Sequence, residues 1–293
     1  MEATHHMIRL LLLSIWLSVW ASPSLAADIA VVSHKPLNSI TQLASAISDQ
    51  TGLSAEVRLV HEKTDWQQYR AVVLAGAQAL QQWQERDVPA VAVFVSRQHV
   101  RQSSLTLASA LYIEPPLERQ IALAKAILGP DRPLGILAAN PQQLETRRYA
   151  GKPLTSALIT PYFVDQSPSL NRALIELLRD NSALIGVYDP GLFSSANIKN
   201  ILITAYRQNK PLIGPSSAYI KAGALATTYS DLDDVVQRLR EILLTGLNEN
   251  IWPEAGYNPY FKVRYNQQVG RSLNLLLPDQ DALQQQLQQL EAR

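Results

Sequence analysis

The chain has 293 residues, 47% of them hydrophobic and 17% charged, which is typical of a folded globular protein with about two domains or lobes. Its 26 Lys and Arg against 25 Asp and Glu give a formal charge of +1, so we expect no large sequence-independent attraction to nucleic acid or anionic lipid. The absence of cysteine excludes disulfides, thiolate catalysis, Cys-ligated zinc, iron–sulfur clusters and lipidation of an N-terminal cysteine.

The first 26 residues have the layout of a secretory signal peptide. Arg9 supplies a positive charge, residues 8–21 are almost continuously apolar, and Pro23 is followed by small residues that fit a cleavage site ending at Ala26. The alternative is a membrane anchor, but an apolar stretch of about 14 residues is shorter than the roughly 20 that cross a bilayer. We therefore expect a signal peptide at 1–26, cleaved after Ala26 or Ala27, and a mature protein outside the cytoplasm that is not embedded in a membrane.

After this segment, short apolar runs alternate with helical periods. Continuous apolar runs predict strands at 29–33, 71–76, 90–96, 134–138, 184–188 and 211–214. Apolar residues three or four positions apart predict helices at 40–47, 117–128, 170–178, 198–206 and 283–290. Strands that are apolar on both faces and separated by helices predict parallel sheets covered on both sides. The predicted fold class is α/β, with two doubly wound parallel-sheet (Rossmann-like) lobes that meet near residues 114–133 and a ligand cleft between them.

Sequence signatures of catalysis and of metal binding are absent. The sequence contains no phosphate-binding G-x-x-x-x-G-K-[ST] loop, no G-x-G-x-x-G turn after a strand and no G-x-S-x-G nucleophile elbow. His34, His61 and His99 lack metal-ligand spacing. The acidic residues from Asp231 to Asp234 could suggest calcium, but carboxylates in a first helical turn more simply predict a helix start. We expect no catalytic residue, no metal and no cofactor; a hydrolase or lyase using Asp189 or His34 stays as a minor alternative.

Small polar residues follow the predicted strands, where a doubly wound sheet binds its ligands. These residues, together with two nearby tyrosines, are the predicted ligand-binding set: Ser33, His34, Gln78, Ser96, Arg97, Asn140, Tyr162, Asp189, Ser217 and Tyr219.

The charged members of this set have distinct expected roles. Arg97 could hold a carboxylate through two hydrogen bonds, and Asp189 an ammonium or hydroxyl group. Asp189 has a rival interpretation, because in Tyr188-Asp189-Pro190-Gly191 it could simply shape the turn. Tyr162 and Tyr219 could stack on a planar ligand or pack in the core.

A family resemblance is visible in the second half of the chain. Residues 182–280 resemble the C-terminal half of periplasmic ABC-transporter substrate-binding proteins, in the class I group that includes tryptophan/tyrosine-type binders. The matching stretches are 183–190, 197–202, 205–214, 219–226, 229–231 and 266–273. The segment 113–120 is similar to the family's crossover into the second lobe.

The resemblance implies a class I periplasmic-binding-protein architecture. Its first lobe would comprise 28–114 plus about 228–255, and its second lobe 115–227 plus about 256–293. It implies a monomeric periplasmic protein that captures an amino-acid-like or other small metabolite, without catalysis, and delivers it to an ABC permease. The alternative is a ligand-sensing module that docks on a membrane sensor or another envelope protein.

Overall fold

The structure is a computed structural model that describes residues 27–84, 86–144, 148–149, 152–153 and 158–291. The predicted signal peptide at 1–26 lies outside the described residues. Within the described part of the chain, no helix is long and apolar enough to cross a membrane.

Strands and helices alternate along most of the chain. The strands are β1 (Ile29–Ser33), β2 (Ala55–Leu59), β3 (Ala71–Ala75), β4 (Ala90–Val95), β5 (Ser109–Tyr112), β6 (Leu134–Ala138), β7 (Arg148–Tyr149), β8 (Lys152–Pro153), β9 (Ile159–Phe163), β10 (Ala183–Gly186), β11 (Leu212–Ile213), β12 (Ala226–Tyr229), β13 (Gly256–Tyr257) and β14 (Lys262–Tyr265). The helices are α1 (Asn38–Thr51), α2 (Ala77–Gln82), α3 (Arg97–Gln102), α4 (Leu117–Leu128), α5 (Leu170–Asp180), α6 (Ser195–Arg207), α7 (Ala218–Ala222), α8 (Leu232–Glu249), α9 (Gln267–Ser272) and α10 (Gln280–Glu291).

Two six-stranded sheets form the centres of two lobes, which confirms the predicted fold class. The first sheet has the order β13-β5-β4-β3-β1-β2 and is parallel throughout. The second has the order β14-β12-β11-β10-β6-β9, and only its edge strand β14 is antiparallel. Carboxyl ends of parallel strands meet at one edge of a sheet, so each lobe collects the loops after its strands on one side.

Each sheet is covered by helices on both faces, as the continuous apolar strands predict. In β1, Ile29 and Val31 pack against α1 and α8, while Ala30 and Val32 pack on the opposite face, against the cluster around Trp66. All four side chains are buried. A strand with apolar residues at every position is stable only when both faces exclude water, and that requirement places a helix layer on each side.

The chain crosses between the lobes three times, after β5, after β12 and after β13. The expected lobe boundaries, at about 228 and about 256, stay a proposal. The strand β12 pairs with β14 as far as Tyr229, and the strand β13 pairs with β5. We propose that the crossings are 113–116, 230–231 and 258–261.

The second and third crossings are bonded to each other. The Ser230 hydroxyl donates to the Tyr260 carbonyl at 2.7 Å, and the Asn258 side chain donates to the Asp234 carbonyl at 3.0 Å. The Lys262 ammonium pairs with Asp231, which caps α8, and lies 3.3 Å from Asp234. The acidic cluster therefore starts a helix, as predicted, and also joins two of the three connections between the lobes.

Arg119 anchors the third crossing from the second lobe. It is only 4% exposed, and its guanidinium bonds the Glu291 carboxylate at 2.6 and 2.7 Å and the Asn258 carbonyl at 2.9 Å. It also lies over the Phe261 ring, 3.8 Å from the centroid. The end of the C-terminal helix therefore neutralises a buried cation that holds the crossing in place.

We expect Glu291→Ala to lower the free energy of unfolding by about 1.5–3 kcal/mol, because it leaves the buried Arg119 guanidinium without its carboxylate. The matched control is Glu176→Ala, which breaks an exposed ion pair with Arg172 of the same 2.6 Å length. That change should cost less than about 1 kcal/mol. Urea unfolding of both variants measures the difference, and equal losses would contradict a special role for Arg119.

Tyr265 gives a second prediction, at alkaline pH. Burial, and then the Asp279 charge, raise the pKa of its phenol to about 12. In an unfolded chain the pKa of a tyrosine is near 10. The folded state therefore keeps its full stability below pH 10. As the pH rises from 10 towards 12, the free energy of unfolding falls by up to about 1.4 kcal/mol per pH unit. Tyr265→Phe should remove this loss.

At pH 7 the same substitution should be nearly neutral or stabilising, because the buried hydroxyl has no hydrogen-bond partner among the described residues. Thermal unfolding between pH 7 and 11 measures both effects. Tyr206→Phe, at a side chain that is 57% exposed, is the control and should keep the alkaline loss. An unchanged alkaline profile in Tyr265→Phe would refute the assignment.

Candidate ligand-binding site between the lobes

Two adjoining cavities lie between the lobes at the carboxyl edges of the two sheets. Their volumes are about 450 and 460 Å³, and both are lined by Pro115 of the first crossing and by Tyr188, which follows β10. Cavities of this size accommodate a small metabolite. We call the first the polar cavity and the second the aromatic cavity, after their side chains.

Eight of the sixteen residues that line the polar cavity carry a guanidinium or carboxamide group. From the first lobe, α3 contributes Arg97, Gln98, Arg101 and Gln102; from the second, the loop after β6 contributes Asn140, Gln142 and Gln143. Both lobes therefore supply polar groups to the same space, so one ligand could bond to both.

The short helix α3 is fixed at its start by the end of β4. The Ser96 hydroxyl accepts from the His99 backbone N–H at 3.2 Å, and His99 Nδ1 accepts in return from the Ser96 N–H at 3.3 Å. The carboxylate of Glu114, in the first crossing, accepts from the Arg97 backbone N–H at 2.8 Å. These bonds satisfy N–H groups that a helix start leaves open, and they hold Arg97 at the cavity.

The aromatic cavity is lined by four aromatic rings and several hydroxyl groups. The rings are Phe94, Tyr112, Tyr188 and Tyr229, and Ser39 and Ser217 are among the hydroxyl residues. Tyr112 also packs edge to face against Tyr257 of the polar cavity, with centroids 5.2 Å apart. This half of the cleft suits an apolar or planar group, whereas the other half suits a charged one.

Phe94 reaches the aromatic cavity through an irregularity in β4. Its φ of 55° lies in the left-handed region, and the register with β5 shifts between Val93 and Val95. A bulky residue is strained in that conformation, and such strain persists only where the surrounding structure enforces it.

Tyr188 stands between the two cavities. Burial raises the pKa of its phenol, and the nearby Glu114 carboxylate raises it further. The phenol therefore stays protonated at neutral pH and can donate a hydrogen bond to a ligand in either cavity.

Three of the ten predicted ligand-binding residues line the cavities. Arg97 and Asn140 line the polar cavity, and Ser217 lines the aromatic one. Ser96 lies next to Arg97, but it is buried and serves as the helix cap. These four stand at strand ends that face the cleft, as the fold predicts.

The other first-lobe residues lie at the same sheet edge but line neither cavity. The hydroxyl of Ser33 donates to the Lys35 carbonyl at 2.9 Å, and His34 Nδ1 lies 2.9 Å from Gln82 Oε1. Gln78 is exposed in the first turn of α2. Their role in binding stays a prediction.

In the second lobe, the structure favours the alternative interpretations. The Asp189 carboxylate accepts from the Gly191 and Leu192 N–H groups at 2.7 and 2.9 Å and also from the Gln143 side chain, so it shapes a turn. Tyr162 and Tyr219 pack against the apolar cluster of this lobe, and the Tyr219 hydroxyl donates to the Phe193 carbonyl at 2.7 Å.

Sequence reasoning missed Tyr188, Phe94 and Arg101. The first two lay inside predicted strands, 184–188 and 90–96, whereas β10 ends at Gly186 and β4 is irregular at Phe94. Arg101 had a usable signal: it follows Arg97 by four positions, which places both on one helix face once α3 is recognised.

The described residues contain no group of three His, Asp or Glu side chains that could hold a metal ion.

No model of a protein family matches the chain, and no curated protein matches it in sequence. Solved structures do match its fold. A substrate-binding protein with adhesive properties from Clostridium difficile, CD0873 in a ligand-free, open form, gives a TM-score of 0.63 at 12% identity, covering 86% of this chain and 96% of that one. An ABC domain in complex with L-Trp from Streptococcus pneumoniae gives 0.52 at 16% identity, with the same coverages of 86% and 96%.

A conserved domain protein from Vibrio cholerae gives a TM-score of 0.52 at 15% identity, covering 88% of this chain and 97% of that one. At these identities the similarity establishes the fold. The chain has the two-lobed α/β fold of a solved substrate-binding protein, and the predicted resemblance is confirmed at the level of the fold.

The strain at Phe94 can be tested with a pair of substitutions. Phe94→Ala and Phe94→Gly remove the same ring, but only Gly adopts a φ of 55° without strain. We expect Phe94→Gly to be more stable than Phe94→Ala by about 1 kcal/mol in urea unfolding. At Tyr112, which has no positive φ, the order should reverse, because Gly weakens an ordinary strand. The same order at both positions would refute strain at Phe94.

Proposed function

We propose that this chain is a periplasmic solute-binding protein that captures a small molecule between its lobes and delivers it to an ABC importer. The observation that carries the proposal is the polar cavity, in which α3 of the first lobe faces the loop after β6 of the second. A cavity lined from two lobes that are joined by short crossings is a site that closes when a ligand bonds to both sides.

The lobes close because the ligand binds their closed arrangement more tightly than their open one. A ligand that contacts Arg97 in the first lobe and Asn140 in the second makes both sets of bonds only when the lobes approach. Such a ligand stabilises the closed arrangement by the free energy of those additional bonds. A membrane partner that recognises only the closed form would then respond to the bound ligand.

The ligand set that we now propose combines predicted and newly found residues. Arg97, Asn140 and Ser217 remain, and Tyr188 and Phe94 join them at the junction and in the aromatic cavity. We propose that Asp189, Tyr162 and Tyr219 support the second lobe rather than touch the ligand.

Two further lines support a binding role outside the cytoplasm. The solved structures with this fold include one named as a substrate-binding protein and one in complex with L-Trp. The first 26 residues have the layout of an export signal. We propose that the mature protein carries out no catalysis and works as a monomer.

The first test is a thermal-shift screen of the mature chain, from Asp28, against amino acids, nucleosides, purines, polyamines, sugars and organic acids. A ligand at about 100 times its dissociation constant should stabilise the fold by roughly 2.7 kcal/mol. We expect saturable shifts from one chemical class, and recovery of the ligand intact after prolonged incubation. A flat screen with protein free of copurified ligand would contradict solute binding, and a converted ligand would point to an enzyme.

Delivery needs a separate test in cells. Deleting the gene should reduce uptake of the radiolabelled ligand found in the screen, and the wild-type gene should restore it. Tyr188→Ala, which removes the ring between the cavities, should restore uptake poorly, whereas Tyr206→Ala, at an exposed position on α6, should restore it fully. Uptake that is unchanged by the deletion would contradict delivery to an importer and favour docking on a membrane sensor.

A further inference from the structure

Two arginines of α3 face the polar cavity from the same side. Arg97 and Arg101 are four positions apart, so their side chains lie on one face of the helix with an axial separation of about 6 Å. Both line the cavity, and Arg101 is exposed. The sequence of this helix, RQHVRQ, contains no acidic residue.

An anion bound between the two guanidinium groups would accept hydrogen bonds from both. Guanidinium groups bind carboxylate and phosphate oxygens through paired N–H donors, which makes two neighbouring arginines suited to an oxyanion.

Glu114 lines the polar cavity together with the two arginines, so the charged side chains of its lining, Arg97, Arg101 and Glu114, sum to +1. Glu114 Oε1 accepts from the Arg97 backbone N–H, and its Oε2 is inaccessible to solvent. Asp189 Oδ1 accepts from the Gly191 and Leu192 N–H groups, and its Oδ2 accepts from the Gln143 side chain. Glu114 Oε2 is therefore closed to an ammonium group of a ligand, and Asp189 does not line the cavity.

The second lobe also contributes hydrogen-bond donors to the polar cavity. The Asn140 side-chain oxygen accepts from the Gln142 N–H at 3.1 Å, and its NH₂ group can donate to a ligand. Gln142 is exposed at the cavity and can also donate. The cavity therefore presents donors from both lobes, and two of them are permanently charged.

We infer that Arg97 and Arg101 form an oxyanion subsite and that the ligand is a small molecule of net negative charge, either a carboxylate or a phosphate monoester. This inference rests on the proposed function, because it names the ligand class of the same cleft. The phosphate or carboxylate lies between the arginines, and the rest of the ligand extends past Tyr188 towards the aromatic cavity.

The test uses pairs of probes that differ only in charge at one end. Titration calorimetry compares indole-3-acetate with indole-3-acetamide, succinate with succinamide, and glucose 6-phosphate with glucose. In the wild-type chain we expect at least one anion to bind at least tenfold more tightly than its neutral counterpart. A phosphate ester should bind more tightly as pH rises through about 6, where it becomes a dianion, and a carboxylate should show no such rise.

A pair of matched variants tests whether Arg101 causes the tighter binding of the anion. Arg101→Gln should weaken binding of that anion at least tenfold and leave the affinity of the neutral counterpart unchanged. The control is Arg207→Gln, which removes the same charge from an exposed position at the end of α6. Arg207→Gln should bind like the wild type, and both variants should unfold at the same urea concentration as the wild type.

The outcomes distinguish failure of the oxyanion subsite from failure of the proposed solute binding. If neutral members bind as tightly as anions, or if Arg101→Gln binds like Arg207→Gln, the oxyanion subsite is wrong and solute binding stands. If no member of the panel binds, the oxyanion subsite is also wrong; if the broad thermal-shift screen is flat as well, solute binding falls with it.

Discussion

The three crossings of the chain are the constraint on which the rest of the structure depends. Because parallel strands end at one edge of each sheet, binding loops collect there whatever their sequence, but a site forms only if two such edges face each other. The crossings after β5, β12 and β13 impose that arrangement. Two of them are bonded together through Ser230, Asn258 and Lys262, and Arg119 holds the last from the second lobe. These bonds hold the second and third crossings in place.

The buried parallel strands could be predicted from the sequence because they are apolar at every position. The predicted 29–33 and 134–138 match β1 and β6, and the helix at 117–128 matches α4, which ends before a glycine. The strands β2 and β9 were missed for a physical reason. Both stand at sheet edges, where one side chain in two can be polar, and β9 tolerates Pro161 because an edge strand need not donate every N–H.

The candidate site was less predictable than the fold. Arg97, Asn140 and Ser217 could be found because each follows an apolar strand, a pattern that depends only on topology. Phe94 and Tyr188 could not, because both looked like interior strand residues until the bulge and the early end of β10 exposed them. Asp189 illustrates two interpretations that stay open from the sequence: a charge after a strand can bind a ligand or shape the turn, and the positions of the Gly191 and Leu192 N–H groups favour the turn.

Whether the lobes close on a ligand is the central question, and one distance measurement addresses it. The chain has no cysteine, so Lys35→Cys and Asp165→Cys can each carry a spin label at an exposed position, one after a strand of each sheet. Pulsed electron paramagnetic resonance then reports the distance between the lobes. We predict that saturation with the ligand identified by thermal shift moves the distance distribution to shorter values and narrows it. An identical distribution with and without saturating ligand would contradict closure between the lobes.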